Sequence, residues 1–118
     1  MAFHLTPQVL RQAYDLLSAT EPFVRWNLPD AEDVKFTVAK DRTCFGWHDK
    51  KASGPHRIAV SSARVGTLFV LLATMAHEMV HVHEFQIGLR GAAENTVSFK
   101  KFAAEVCKAH TCFDLKSF

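Results

Sequence analysis

The residues of this chain whose types and spacing best suit chemistry form the run His77-Glu78-Met79-Val80-His81. Residues four apart on a helix lie about 40° apart around its axis and one turn above each other, so His77 and His81 point the same way. Two imidazoles placed in this way can share one tetrahedral metal ion, and they favour zinc. Glu78 lies about 100° from His77 and 60° from His81. That position suits a general base acting on water at the metal.

The alternative is that His77 and His81 are two hydrogen-bonded histidines of the core. Three titratable groups in an otherwise apolar helix are costly to bury without a partner, which favours the metal site. His83 lies about 200° from His81, so we expect it on the surface or between elements. Glu84 returns to the face of His81, where it could orient a ligand histidine.

Three helices are predicted to position these residues. The first begins at Thr6-Pro7, a hydroxyl cap followed by a proline at the first helical position. The second runs from Ala63 to about Phe85, and its segment 68–72 is apolar all round, as in a helix buried on most sides. A loop containing Gly88 and Gly91 leads to the third helix. The apolar stripes of the first and third helices are Leu10, Ala13, Tyr14 and Leu17, and Phe99, Phe102, Ala103, Val106 and His110.

Three strands are predicted between the first and second helices. Residues 34–38 alternate between apolar and polar types, which is typical of a half-buried strand. Residues 43–47 and 57–61 are two further strands, joined by a polar turn at 48–56. The predicted fold class is α+β, with a three-stranded antiparallel sheet in a single domain over residues 1–118.

Composition limits the possible functions. The 118 residues are 48% apolar and include ten phenylalanines, enough for a core without disulfides. The net charge of +2 is evenly spread along the chain, unlike the basic face of a dedicated nucleic-acid binder. No apolar stretch approaches the ~18 residues that span a bilayer, so no membrane partner is expected. Three cysteines and the lack of a secretory signal favour a cytoplasmic location with reduced thiols.

The chain resembles the SprT-like zinc metallopeptidases, in particular the short versions found in bacteria and phages. The resemblance covers roughly residues 55–118. It rests on Arg57-Ile58-Ala59-Val60, Thr74-Met75-Ala76-His77-Glu78-Met79-Val80-His81, Phe99-Lys100-Lys101-Phe102-Ala103-Ala104-Glu105-Val106 and His110-Thr111-Cys112-Phe113-Asp114.

The resemblance implies a zincin-like fold with strands on one side of the metal helix. It also implies that His77, His81 and a third histidine before the last helix hold Zn²⁺, with Glu78 as the catalytic base. Larger relatives act on proteins bound to DNA, which makes DNA-associated substrates an expectation.

The family's third histidine has no counterpart here, because the matching positions read Ala93-Glu94-Asn95-Thr96. Alignment on Phe99 puts Asn95 in its place, and one extra residue puts Glu94 there. A carboxylate is a better zinc ligand than a neutral amide, so Glu94 is the predicted third ligand. Asn95 could instead cap the last helix, predicted to begin at Thr96. Coordination by Asn95, or by no third protein ligand, stays open.

The leading functional hypothesis is a zinc-dependent endopeptidase in which Glu78 moves the proton of the attacking water to the leaving amine. The edge of the strand at 57–61 could align an extended protein or peptide substrate. Arg90 and His83 are candidate oxyanion donors. A second hypothesis is an inactive metal-binding scaffold or regulator, which the missing histidine favours and the intact Glu78 opposes. A third is a DNA-associated factor, and the balanced charge makes it the weakest.

Overall fold

A computed structural model describes residues 3–89 and 96–118 of the chain. The described residues form an α+β fold, as predicted. Its elements are α1 (Pro7–Ser18), β1 (Val34–Ala39), β2 (Gly46–Lys50), β3 (His56–Ser61), α2 (Leu68–Gln86) and α3 (Val97–Ala109), with short 3-10 turns at Phe23–Arg25 and Ala31–Asp33. None of the helices in these two ranges is long and apolar enough to cross a membrane.

The three strands form a mixed sheet in the order β1-β3-β2. Strands β1 and β3 are parallel, with Val34 opposite His56, whereas β2 and β3 are antiparallel, with Gly46 opposite Val60. The predicted antiparallel sheet is therefore wrong for the β1–β3 pair. Alternation within a strand indicates its buried face but carries no information on which strand lies beside it.

Strand β3 occupies the centre of the sheet and is the most deeply buried of the three strands. Ile58, Ala59 and Val60 are all 0% exposed. A continuous apolar run of this kind suits a strand that is covered on both faces. The prediction that residues 57–61 form an open edge is therefore wrong. In the described part of the chain, the outer strands are β1 and β2.

Strand β2 begins three residues later than predicted and extends into the supposed polar turn. His48, Asp49 and Lys50 are strand residues that pair with β3. The guanidinium of Arg57 donates to Asp49 Oδ2 at 2.7 Å across the two strands. A polar outer strand resembles a turn in sequence, because the cross-strand partners of its polar side chains are distant along the chain.

Helix α1 agrees with its prediction. Thr6 is the N-cap, its side-chain oxygen accepts from the N–H of Val9 at 3.1 Å, and Pro7 is the first helical residue. The predicted apolar stripe is the buried face.

Helix α2 begins at Leu68 instead of Ala63, because Thr67 caps it by accepting from the N–H of Val70 at 3.2 Å. The predicted all-round burial of 68–72 is also wrong at its start, since Leu68 and Phe69 are 58% and 51% exposed. Further along, α2 contacts α1, α3, β2 and β3. The histidine run therefore lies on the most enclosed part of the helix.

Helix α3 begins at Val97, with Thr96 as its N-cap. The hydroxyl of Thr96 accepts from the N–H of Phe99 at 3.2 Å. The helix therefore does not begin at Thr96, and the capping role considered for Asn95 belongs to Thr96. Phe99, Ala103 and Val106 form the buried stripe, as predicted. The other two residues of the predicted stripe differ: Phe102 is only partly buried, and His110 is the C-cap that follows the end of the helix.

Candidate metal and catalytic site

Helix α2 places His77 and His81 one turn apart, with ring centroids separated by 5.3 Å and ring planes inclined at 69°. A tetrahedral zinc ion with Zn–N bonds of ~2.0–2.1 Å would hold the centroids of two imidazole ligands roughly 5 Å apart. The observed separation therefore fits two imidazoles that share one zinc ion.

The Nδ1 atoms of both histidines face oxygen acceptors. Nδ1 of His77 lies 2.6 Å from the backbone oxygen of Phe118, and Nδ1 of His81 lies 3.1 Å from Oε1 of Glu84. A carbonyl oxygen and an ionised carboxylate can only accept, so in the neutral imidazoles Nδ1 carries the proton and Nε2 the lone pair. Contacts of this kind fix the tautomer and ring orientation of histidine ligands in zinc proteins.

Glu84 connects the histidine pair to α3. Its side chain is 1% exposed, and its second oxygen accepts from the hydroxyl of Ser98 at 2.6 Å. The sequence placed Glu84 on the face of His81, and the contact with His81 confirms that placement. Ser98 was not expected at the site, because its partner lies 14 residues earlier in a different helix.

Aromatic rings enclose the histidine pair. The ring of Phe99 in α3 lies 4.8 Å from His77 and 4.8 Å from His81, measured between centroids. The ring of Phe118 lies 5.6 Å from that of His77. Apolar walls lower the local dielectric and strengthen the electrostatic interactions of the imidazoles.

Glu78 lies at a cleft beside His77. Its side chain is 4% exposed, and the cleft has a volume of about 490 Å³. The other lining residues come from the segment entering β2, the first half of α2 and the C-terminal segment. The geometry thus brings a buried carboxylate and one histidine of the pair to the same cleft.

Cys44 also lines the cleft. Burial raises the pKa of its thiol, and the negative charges of Asp41 and Glu78 raise it further. A thiol that keeps its proton is a poor nucleophile. The cleft therefore suits activation of water by Glu78 better than attack by a cysteine.

A second histidine pair, which was not predicted, lies between the sheet and α2. Nε2 of His48 lies 2.8 Å from Nδ1 of His56, and the two rings are stacked with centroids 5.0 Å apart. The ring of Phe85, one turn after His81, meets both edge-on. Burial, followed by the nearby His56 and His81, lowers the pKa of His48 to about 4. His48 is therefore neutral at pH 7 and can serve as a hydrogen-bonding group without adding charge.

His83 takes the inter-element place predicted for it. Its ring stacks on Trp26 with centroids 4.2 Å apart, and the edge of Phe102 meets it at 4.6 Å. Burial lowers the pKa of His83. These contacts hold the ring in the core and give no support to its candidacy as an oxyanion donor.

Three of the residues singled out from the sequence, Arg90, Glu94 and Asn95, lie outside the described residues. Within 3–89 and 96–118, no three His, Cys, Asp or Glu side chains are grouped so that they could hold a metal ion. The structure thus brings together His77, Glu78 and His81, and the third ligand stays a prediction.

Comparison of the chain with protein-family models, with curated proteins and with solved structures finds no match.

Proposed function

We propose that this chain is a zinc-dependent endopeptidase of the SprT-like type with a zincin-like arrangement of α2 beside the sheet. The observation that carries the proposal is the pairing of His77 and His81 one turn apart with each Nδ1 atom facing an oxygen acceptor. Two histidines with a purely structural role could form hydrogen bonds through either ring nitrogen and with either donors or acceptors. Acceptors at both Nδ1 atoms orient both Nε2 lone pairs in the way that two ligands of one metal require.

The donor set fits zinc. Nε2 of His77 and of His81 would bind the ion, and a carboxylate from Glu94 would complete a His₂Glu set known in catalytic sites. When bound, zinc would polarise the scissile carbonyl and make the attacking water more acidic. Glu84 and the backbone oxygen of Phe118 would hold the two imidazole rings in the orientation that directs both Nε2 atoms towards the ion.

Glu78 supplies the proton transfer in this proposal. It follows His77 directly and lines the same cleft, so its carboxylate is beside the place where a peptide carbonyl would meet the metal. It would accept a proton from the attacking water and pass it to the leaving amine. Burial at 4% exposure keeps competing water away from this carboxylate.

The proposed substrate is an extended protein or peptide that pairs with the outer side of β2. Gly46 in this strand lies against Thr74 of α2, and His48 lies against Phe85. The strand therefore runs alongside the helix that carries His77 and His81. When a peptide adds as a strand to such an edge, main-chain hydrogen bonds align it, and pockets that bind its side chains provide the specificity. By resemblance, proteins bound to DNA are among the candidate substrates, and a cytoplasmic location stays a prediction.

A metal-binding module without hydrolytic activity is the second candidate. It is favoured by the described residues, in which two histidines come together without a third metal-binding side chain. Both candidates bind zinc, but only the peptidase hydrolyses peptide bonds. Metal content alone therefore does not distinguish the two.

The test compares the parent protein with Glu78→Gln and His81→Ala. We expect one zinc per parent chain by elemental analysis and zinc-dependent cleavage of casein. Glu78→Gln should keep the metal and lose cleavage, because an amide cannot take the proton. His81→Ala should lose both. A parent that holds zinc but cleaves nothing supports the non-hydrolytic module, and a parent without zinc whose melting temperature ignores added zinc contradicts both candidates.

A further inference from the structure

The cleft beside Glu78 has an apolar lining that the chemistry at His77 and Glu78 does not require. The apolar lining residues are Phe45, Phe69, Val70, Ala73 and Phe118. The volume of about 490 Å³ lies within the ~300–1,000 Å³ typical of small-ligand sites and is ample for one aromatic side chain.

Two of these walls are large apolar side chains that the fold leaves partly in water. Phe69 is 51% exposed, and Phe45 is 44% exposed. Each lies against another side chain: the guanidinium of Arg64 is 4.3 Å from the ring centroid of Phe45, and the ring of Phe113 is 5.9 Å from that of Phe69. Clustered exposed aromatics at a concave site are typical of a binding surface. The neighbours order both rings before any ligand arrives, which lowers the entropic cost of binding.

The charges at the cleft select against charged occupants. Among the described side chains that line it, Glu78 contributes a carboxylate, and none is a lysine or an arginine. An acidic side chain would be repelled by that carboxylate, and no lysine or arginine among the described lining residues would compensate its desolvation. A basic side chain could only be compensated by Glu78 itself, which would then be a weaker base.

We infer that this cleft is a specificity pocket that accepts a large apolar side chain, aromatic or long aliphatic, from the residue next to the scissile bond. The inference rests on the proposed peptidase function, because the pocket is occupied by the peptide that Glu78 helps to cleave. Phe69 and Phe45 form its mouth, and Phe118 joins it to the metal site, since the backbone oxygen of Phe118 faces His77 while its ring lines the pocket.

The test uses matched peptides built on a cleavage site mapped in casein by mass spectrometry, with Phe, Lys or Glu next to the cut. We expect the parent to cleave the Phe peptide about 10-fold or more faster, as kcat/KM, than the other two. Phe69→Ala should remove most of that preference by slowing the Phe peptide. Leu68→Ala is the matched control, because Leu68 is the adjacent residue of α2, is 58% exposed and is not among the lining residues. It should leave all three rates unchanged.

Binding of the same peptides to Glu78→Gln, measured by calorimetry, separates this inference from the peptidase proposal. Tighter binding of the Phe peptide that Phe69→Ala abolishes supports the pocket independently of any cleavage rate; if casein is not cleaved, the three peptides are built on one extended casein sequence with Phe, Lys or Glu at its centre. Equal rates and equal affinities for the three peptides would overturn the pocket while leaving a peptidase in place. A parent dimer that dissociates on Phe69→Ala would also overturn it, because a second copy of the chain would then cover the two rings.

Discussion

Oε1 of Glu84 lies 3.1 Å from Nδ1 of His81, and His81 precedes Glu84 by three residues on the same helix. The other oxygen of this carboxylate is held by Ser98, so α2 and α3 meet at one buried acid. Glu84 is almost wholly enclosed at 1% exposure. A carboxylate is rarely buried so deeply unless its oxygens have partners, and here the two partners are a histidine of the proposed metal pair and a hydroxyl at the start of α3.

Glu84→Gln should weaken zinc binding by about 10- to 100-fold with little change in fold. The amide keeps the size of the side chain but removes the negative charge that makes the imidazole of His81 a better ligand. Competition with a coloured chelator measures the dissociation constant. Glu32→Gln, at an exposed position in the turn before β1, is the control and should bind zinc like the parent. Equal affinity in Glu84→Gln and the parent would show that Glu84 only stabilises the fold.

Gly46→Ala should destabilise the protein, because a Cβ atom there would lie 2.5 Å from the backbone oxygen of Ala59 and 3.1 Å from a methyl carbon of Thr74. Relief requires β2 to move away from β3 or α2, and overpacking of this kind costs about 1–3 kcal/mol. Gly54→Ala is the control, since its nearest neighbour, Cβ of Lys51, would be 3.7 Å away. Urea unfolding of both variants checks the prediction, and equal midpoints for the two would contradict it.

The metal-free protein should become less stable as the pH is lowered, because of His48. In the unfolded chain a histidine titrates near ~6.5, whereas burial beside His56 and His81 lowers the pKa of folded His48 to about 4. Asp49 opposes this shift. Between these values the unfolded state binds more protons, so the free energy of unfolding decreases as the pH falls from 6.5 towards 4 and levels off below. The full shift corresponds to about 3 kcal/mol, which solvent around the half-buried ring reduces.

Urea unfolding at pH 7, 6 and 5 in the presence of a chelator measures this slope. His48→Phe keeps an aromatic ring against Phe85 and cannot titrate, so its slope should be shallower than that of the parent. His4→Phe, at an exposed position, is the control and should retain the parental slope. A His48→Phe slope as steep as the parent's would assign the pH dependence to other groups, such as His56 and His83, whose pKa values burial also lowers.

What could be predicted from the sequence followed from local rules. Thr6-Pro7 starts α1 as capping chemistry requires, and the spacing of His77 and His81 placed both rings on one face of α2. The failures concern partners distant in sequence. Nothing local shows that β3 separates β1 from β2, and nothing local distinguishes His48 in an outer strand from a histidine in a polar turn.

The exposure of Phe69 was missed for a related reason. An apolar helical segment indicates that something must cover it, but the covering group need not belong to the same chain. The sequence assigned residues 68–72 to the core, whereas the fold leaves their first two side chains at the surface, with Phe69 lining the cleft of Glu78.

The start of α3 bears directly on the third zinc ligand. Ser98 bonds to Glu84, and the ring of Phe99 lies 4.8 Å from both His77 and His81. The N-terminal end of this helix therefore lies next to the histidine pair. Glu94 is two residues before the N-cap Thr96, a span of at most about 7 Å along an extended chain. A carboxylate at that position is within reach of the site on chain length alone.

Glu94→Ala should therefore weaken zinc binding more than Asn95→Ala does. A catalytic zinc normally has three protein ligands, and a carboxylate binds the ion far better than a neutral amide. Capping of α3 gives no alternative role to Asn95, because the hydroxyl of Thr96 already accepts from Phe99. Zinc affinities of the two variants, measured side by side by chelator competition, decide the matter: Glu94→Ala should bind at least about 10-fold more weakly than Asn95→Ala. If Glu94→Ala binds as tightly as the parent while Asn95→Ala does not, the amide is the ligand, and if neither variant changes, zinc is held by the histidine pair without either residue.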